Sequence, residues 1–147
     1  MSSETTTLPD ELTARVLISD LVDEFYNRID RRESTADLVT EDATFKTSNR
    51  DAAGRSAVAE LMLSLADLRK ERGRESRHFG ANVSVTSLGE GRYRVRSLVI
   101  VVSLDSQPVA GGVLNMGDHD DVVVIEGGTA RFASRAMTPA LQLGLTA

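Results

Sequence analysis

At 147 residues, with 41% hydrophobic and 27% charged side chains, the chain has the size and composition of one globular domain that buries its own core. A net charge of -5 argues against nucleic acid as a partner, and the absence of cysteine excludes a disulfide framework and any cysteine-ligated metal or iron–sulfur site. No apolar run approaches the roughly 20 residues that span a bilayer, so no membrane partner is expected. Residues 1–11 carry neither a basic nor an apolar leader segment. With the missing cysteines, this fits a cytoplasmic protein.

Residues 1–8 are polar and are expected to fray. Pro9, Asp10 and Glu11 then mark a helix start, the acids complementing the positive end of the helix dipole. Ala14, Leu17, Ile18, Leu21, Val22, Phe25 and Ile29 follow at helical spacing, and the helix should end near Arg32. Leu38 to Lys46 reads as a turn leading into a short strand. The segment from Ser48 to Ser56 reads as a loop, with Ser56 as N-cap of a second helix. Val58, Leu61, Met62, Leu65 and Leu68 form its apolar stripe, and Gly73 suits its end. The basic stretch Arg69 to Arg77, interrupted by Glu71 and Glu75, reads as a solvated helix end.

Beyond Ser76 the pattern is β-sheet. Strands are expected over Arg77 to Ser87, Arg92 to Leu104, Val113 to Glu126 and Thr129 to Thr138. They are separated by Gly89-Glu90-Gly91, by Asp105 to Gly112 and by Gly127-Gly128, and Pro139 stops the last. The fold class is therefore α+β: a single domain over residues 9–138, in which two N-terminal helices cover a strongly curved antiparallel sheet enclosing a pocket. Residues 139–147 form a tail.

Several residues stand out chemically. His78, one of two histidines, shares a strand face with Gly80 and Asn82 by alternation, while Phe79, Ala81, Val83 and Val85 on the other face look more like core. Alternation alone leaves open which face lines a pocket and whether His78 is structural. Asp30 lies where the helix dipole disfavours a carboxylate, one turn beyond Tyr26. It could pair with Arg31 or Arg32, or orient a histidine from the sheet. Tyr26 is either a half-buried helix tyrosine or a hydroxyl donor to a substrate oxygen. His119 and Asp121 share a face with Gly117, and His119 is either a structural histidine beside Asp121 or a second acid–base or substrate-orienting one. Arg135 could hold a carboxylate and is read as the ion-pair partner of Asp121. Arg94 and Arg96, on a face with Leu98, Ile100 and Val102, suggest a solvated sheet end, an oligomer interface or the wall of an anion pocket. No paired-histidine spacing supports a metal, and no Gly-rich nucleotide pattern or nucleophile elbow is present, so no cofactor is expected.

The order helix–strand–helix and then four long strands resembles the nuclear transport factor 2-like cone fold, and within it the SnoaL-like branch. The residues that carry the likeness are Tyr26 and Asp30, Leu38 to Phe45, Gly54-Arg55-Ser56-Ala57-Val58, His78 with Asn82, Gly117 to Asp121, and Arg135. His119 stands where the family often shows tyrosine. The resemblance covers residues 10–138 and implies relatives among scytalone dehydratases, ketosteroid isomerases and dioxygenase small subunits. It implies a catalytic set of His78, Asp30 and Tyr26, with Asp30 and His78 as a dyad. It also implies substrate contacts from Asn82, His119, Asp121, Phe45 and Arg135.

Two functions follow as expectations. One is a cofactor-independent lyase or isomerase, dehydratase-like, acting on a small, mostly apolar carbonyl compound by histidine acid–base catalysis. The other is a non-catalytic small-molecule-binding module or the small subunit of a ring-hydroxylating dioxygenase. The expected ligand is a small hydrophobic molecule and the protein a homo-oligomer, dimer or trimer, whereas the small-subunit version would bring a larger, cysteine-containing partner chain.

Overall fold

The computed structural model describes residues 8–105 and 111–146. Helix α1 spans Glu11–Arg31. Its N-cap is Asp10, whose carboxylate accepts from the Thr13 N–H at 2.7 Å. Arg32 closes it in the left-handed conformation, with φ 60. Ala14, Ile18, Leu21, Val22, Phe25, Tyr26 and Ile29 form its buried face, so the expected stripe extends to Tyr26. Strand β1, Val39–Lys46, follows a 3-10 turn at Ala36–Leu38. Arg28 steadies this junction by pairing with Glu24 and Asp37 and donating to the Ser34 carbonyl.

The segment read as a loop contains a short strand, β2, Asp51–Ala53, paired antiparallel with β1. The pairing carries the chain straight into helix α2, Arg55–Glu71, whose N-cap is Gly54 and not Ser56. Gly54 donates its N–H to the Ala43 carbonyl at 2.7 Å while holding φ 92, a strand-to-helix corner that favours glycine. On α2 the most buried residues are Val58, Ala59, Met62 and Ala66, with Leu61 and Leu65 only partly buried. Gly73 follows the helix at φ 68, as expected for that position.

Four long strands complete the chain: β3 Arg74–Gly89, β4 Arg92–Asp105, β5 Gly111–Glu126 and β6 Thr129–Thr146. They form the expected antiparallel meander in a six-stranded sheet ordered β2-β1-β6-β5-β4-β3. The sheet as a whole is mixed, because β1 runs parallel to β6. No hairpin joins these two strands, so no local turn signal could reveal their relative direction. Glu90-Gly91 and Gly127-Gly128 are two-residue turns with every φ positive, between 56 and 76, which matches the twist of the flanking strands. The expected β4–β5 turn lies mainly within residues 106–110, and the expected frayed start within residues 1–7; both fall outside the described residues.

Two irregularities depart from simple alternation. Strand β6 continues past Pro139, because the register slips there: Met116 faces Leu141 while Gly117 faces Pro139. A bulge accepts a residue that has no N–H to give to the ladder. In β3 the register slips between Ala81 and Ser84, with Asn82 at φ 54. Asparagine tolerates that conformation better than most side chains.

The core lies between the helices and the inner sheet face. Phe25 and Phe132, 1% and 0% exposed, meet edge to face with centroids 5.3 Å apart. Burying each such ring stabilises the fold by about 1.5–3 kcal/mol. Arg55 fastens α2 to the sheet by donating to the Val39 carbonyl at 3.1 and 3.2 Å.

Candidate active site

The last turn of α1 meets the start of β3 at Asp30 and His78. One carboxylate oxygen of Asp30 accepts the His78 backbone N–H at 3.0 Å, and the other lies 2.6 Å from the ring Nδ1. With a carboxylate accepting, Nδ1 carries the hydrogen and Nε2 keeps its lone pair. Both side chains are nearly buried, at 7% exposure for His78 and 12% for Asp30. Burial lowers the His78 pKa below its ordinary value. The Asp30 hydrogen bond opposes this, while the Arg69 and Arg135 cations reinforce it. At neutral pH the ring is therefore a neutral base of fixed tautomer and fixed orientation.

A second network lies beside it. The Tyr26 ring stacks on the His78 ring, with centroids 5.6 Å apart and planes 8° from parallel. The Tyr26 hydroxyl accepts from Arg135 Nη2 at 3.2 Å, which leaves its own hydrogen free to be donated. Arg135 also gives Nε and Nη2 to one oxygen of Asp121, at 3.1 and 3.0 Å, and the other oxygen faces His119 Nδ1 at 3.3 Å. The chain Tyr26–Arg135–Asp121–His119 is buried throughout. The Arg135 guanidinium carbon lies 4.6 Å from the Phe25 ring centroid and 4.1 Å from that of Phe132, so its charge is shared with two aromatic faces.

Burial pushes the Tyr26 phenol above its ordinary pKa and holds the His119 imidazole below its own. Burial alone would raise Asp121, but Arg135 and His119 outweigh it and hold the carboxyl low. This gives two carboxylate–histidine pairs of different character, with a phenol between them. His78 is tightly gripped, and His119 is more loosely held on a network centred on a buried cation.

A cavity of about 120 Å³ joins the two. Tyr26, Phe45, His78, His119 and Arg135 line it, with Met62 and Met137 among its apolar walls. Asp30 and Asp121 stand behind the histidines they hold. Asn82 does not join them: it is exposed and lies on the opposite sheet face, beside Arg96 and Asp118. The extra residue at the β3 bulge turns Asn82 outward. It also lets His78 and Gly80 on one side of it, and Val83 and Val85 on the other, all face the helices. Arg94 is paired with Asp120 across the outer face.

Arg69 also lines the cavity, although its stretch of sequence reads as a solvated helix end. Its spacing from Met62 and Leu65 was the signal available for it. Among the described residues no three histidine, aspartate or glutamate side chains gather as a metal would require.

The sequence is similar to the family described as the SnoaL-like domain over residues 10–136. No curated protein matches it. Solved structures share the fold. A candidate scytalone dehydratase from Novosphingobium aromaticivorans is 21% identical, with 90% of this chain and 87% of that one covered and a TM-score of 0.77. A type 2 hexachlorocyclohexane dehydrochlorinase, LinA, is 17% identical over 93% of this chain and 92% of that one, at 0.76. ActVI-ORFA from Streptomyces coelicolor is 18% identical over 85% and 96%, at 0.72.

Proposed function

The chain belongs to the SnoaL-like domain family, and from that premise we propose that it is a dehydratase-like lyase or isomerase that works without a cofactor on a small, mostly apolar carbonyl compound. The observation that carries this reading is the convergence of His78, Asp30 and Tyr26 at one cavity. His78 Nε2 takes the proton from the carbon next to the carbonyl, and Asp30 holds the ring in place and balances the charge it gains. Tyr26 donates its free hydrogen to the carbonyl oxygen as the enolate forms, and Arg135 behind it stabilises the growing negative charge. When the substrate carries a β-hydroxyl, the enolate electrons re-form the carbonyl. The α–β double bond forms, the C–O bond breaks, and the proton that His78 took is returned to the departing oxygen, which leaves as water. Without a leaving group, reprotonation at a different carbon gives an isomer. One structural neighbour is described as a candidate scytalone dehydratase and another as a dehydrochlorinase, both names of eliminations, which supports the class.

The test is direct. A panel of β-hydroxy ketones is followed by enone absorbance, and α-proton exchange in heavy water is followed by NMR. His78→Ala should lower both rates by about 10²–10⁴-fold, measured well below the variant's own thermal midpoint so that it is fully folded. Full activity in that variant would sink the proposal.

The same reading makes the protein a cytoplasmic homo-oligomer, dimer or trimer. Its support is the outer sheet face, where Phe79, Ile100, Met116 and Leu141 lie opposite one another on four adjacent strands. Phe79 is 54% exposed and Leu141 46%. An apolar row of this kind on an open sheet calls for a covering surface. A monomer in light scattering at micromolar concentration would remove this part of the reading.

A further inference from the structure

Helix α2 presents the cavity with one side chain that the proposed reaction leaves idle. Met62, Leu65 and Arg69 share a helix face, and all three line the His78 cavity. The first two are apolar, whereas the third ends in a guanidinium. Arg69 is half-buried, yet it makes no hydrogen bond or ion pair among the described residues. It lies close enough to Asp30 and His78 to act on both electrostatically, but both Asp30 oxygens are already committed to His78. Burial holds the Arg69 pKa below its ordinary value, as expected when a cation gives up water without gaining a partner in exchange.

Arg69 is also the wall between this cavity and a second cleft of about 270 Å³, formed by the ends of α1 and α2 and the start of β3. That cleft gathers Arg31, Arg32, Lys70 and Arg74 around it. Arg32 is paired with Asp67 and Arg74 with Asp105, but Arg31 and Lys70 have no such partner among the described residues. Asp30 and Glu75 line the same cleft, but with Arg69 the five cations outnumber them, so in a chain of net charge -5 this is a local concentration of positive charge on the far side of Arg69 from the His78 cavity. A low-dielectric cleft of that sign draws in anions.

We propose that Arg69 is a specificity-determining residue, and that it receives a carboxylate on a small substrate whose reacting carbon then lies at His78. The proposal rests on the lyase or isomerase reading and narrows its substrate class to carbonyl compounds bearing an acid group. A guanidinium fork matches a carboxylate in shape and charge. An anion seated there would also cancel the field by which Arg69 weakens His78 as a base, so the ring would become more basic once substrate is bound.

Benzoate and benzamide are the probes, alike in shape and different in charge. Calorimetric titration should show the wild type binding benzoate at least ~10-fold more tightly than benzamide at low ionic strength. The gap should narrow as salt screens the charge. Arg69→Gln and Arg69→Met should each remove most of that preference while benzamide affinity stays within about twofold, and Arg69→Lys should keep part of it. Thermal midpoints verify that each variant is folded. Equal binding of the two probes by the wild type, or a preference that survives in folded Arg69→Gln or Arg69→Met, overturns the proposal and leaves the catalytic reading standing. Conversely, His78→Gln that keeps full turnover would sink the catalytic reading while the carboxylate preference remained.

Discussion

Asp30 grips His78 with both carboxylate oxygens, one on the backbone N–H and one on the ring. The contact joins the end of α1 to β3, and it fixes the imidazole in position as well as in tautomer. Asp30→Asn keeps the shape but can place an NH₂ where an acceptor is needed, and it no longer balances the charge on a protonated ring. The expected loss in kcat is on the order of 10²-fold, with KM little changed, because the general base remains but is wrongly poised. Asp30→Ala should lose more and also loosen the α1–β3 junction. Steady-state kinetics beside thermal midpoints would separate the two effects, and equal kcat for wild type and Asp30→Asn would refute this role.

The two histidines set the pH response. Burial is the main cause that lowers both pKa values, and their aspartate partners only partly oppose it. Proton abstraction requires neutral His78, so the acid limb of kcat/KM should fall below the ordinary value of 6.5. Stability follows the same sign. Below about 6.5 the unfolded chain binds protons on both rings before the native state does, so stability falls as pH drops from there towards the depressed native values. Above that window these rings contribute no slope. Urea midpoints between pH 5 and 8, with a His78→Gln/His119→Gln variant as control, would check it; a wild-type midpoint that rises on acidification would contradict it.

Asp121 neutralises a cation that is almost wholly buried. Arg135 and Asp121 are 2% and 0% exposed, and Tyr26 and His119 hang from the same pair. Asp121→Asn would leave the Arg135 charge buried with only aromatic faces and neutral dipoles around it. The expected destabilisation is about 3–5 kcal/mol, or a thermal midpoint lower by on the order of 10 °C. Replacing Asp121 and Arg135 together with apolar residues should recover part of that stability but not activity. A midpoint shift of less than a degree in the single variant would show that the pair is not the anchor described.

The helical stripe of α1 was legible because its residues recur with one period and are bounded by Asp10 and Arg32. The meander was legible because Glu90-Gly91 and Gly127-Gly128 are turn chemistry. What escaped were features set by contacts remote in the chain. The parallel pairing of β1 with β6 depends on where α1 and α2 place β1. The orientation of Asn82 depends on a single inserted residue, and a period-two pattern cannot locate the slip beforehand. His78 looked polar-faced and Val83 core-faced; the bulge makes both inner. Arg69 looked solvated because its charge outweighed its spacing from Met62 and Leu65.

Gly80 tests whether the close approach of α1 to β3 matters to the site. A Cβ built at this position would lie 2.7 Å from Val22 Cγ1 and 3.0 Å from Tyr26 Cε2. Val22 is fully buried in the core, and Tyr26 is held by Arg135 and stacked on His78, so neither can step aside freely. Gly80→Ala should therefore lift α1 from the strand or tilt the phenol off the imidazole. Overpacking of this kind costs typically about 1–3 kcal/mol. The effect on kcat should exceed what that loss of stability implies at temperatures where the variant is fully folded, because the Tyr26 hydroxyl shifts relative to His78 Nε2. Gly117→Ala is the control, since its nearest contact is the flexible end of Met137. A folded Gly80→Ala variant with the kcat of the wild type would mean that the stacking of Tyr26 on His78 is packing without a part in the chemistry.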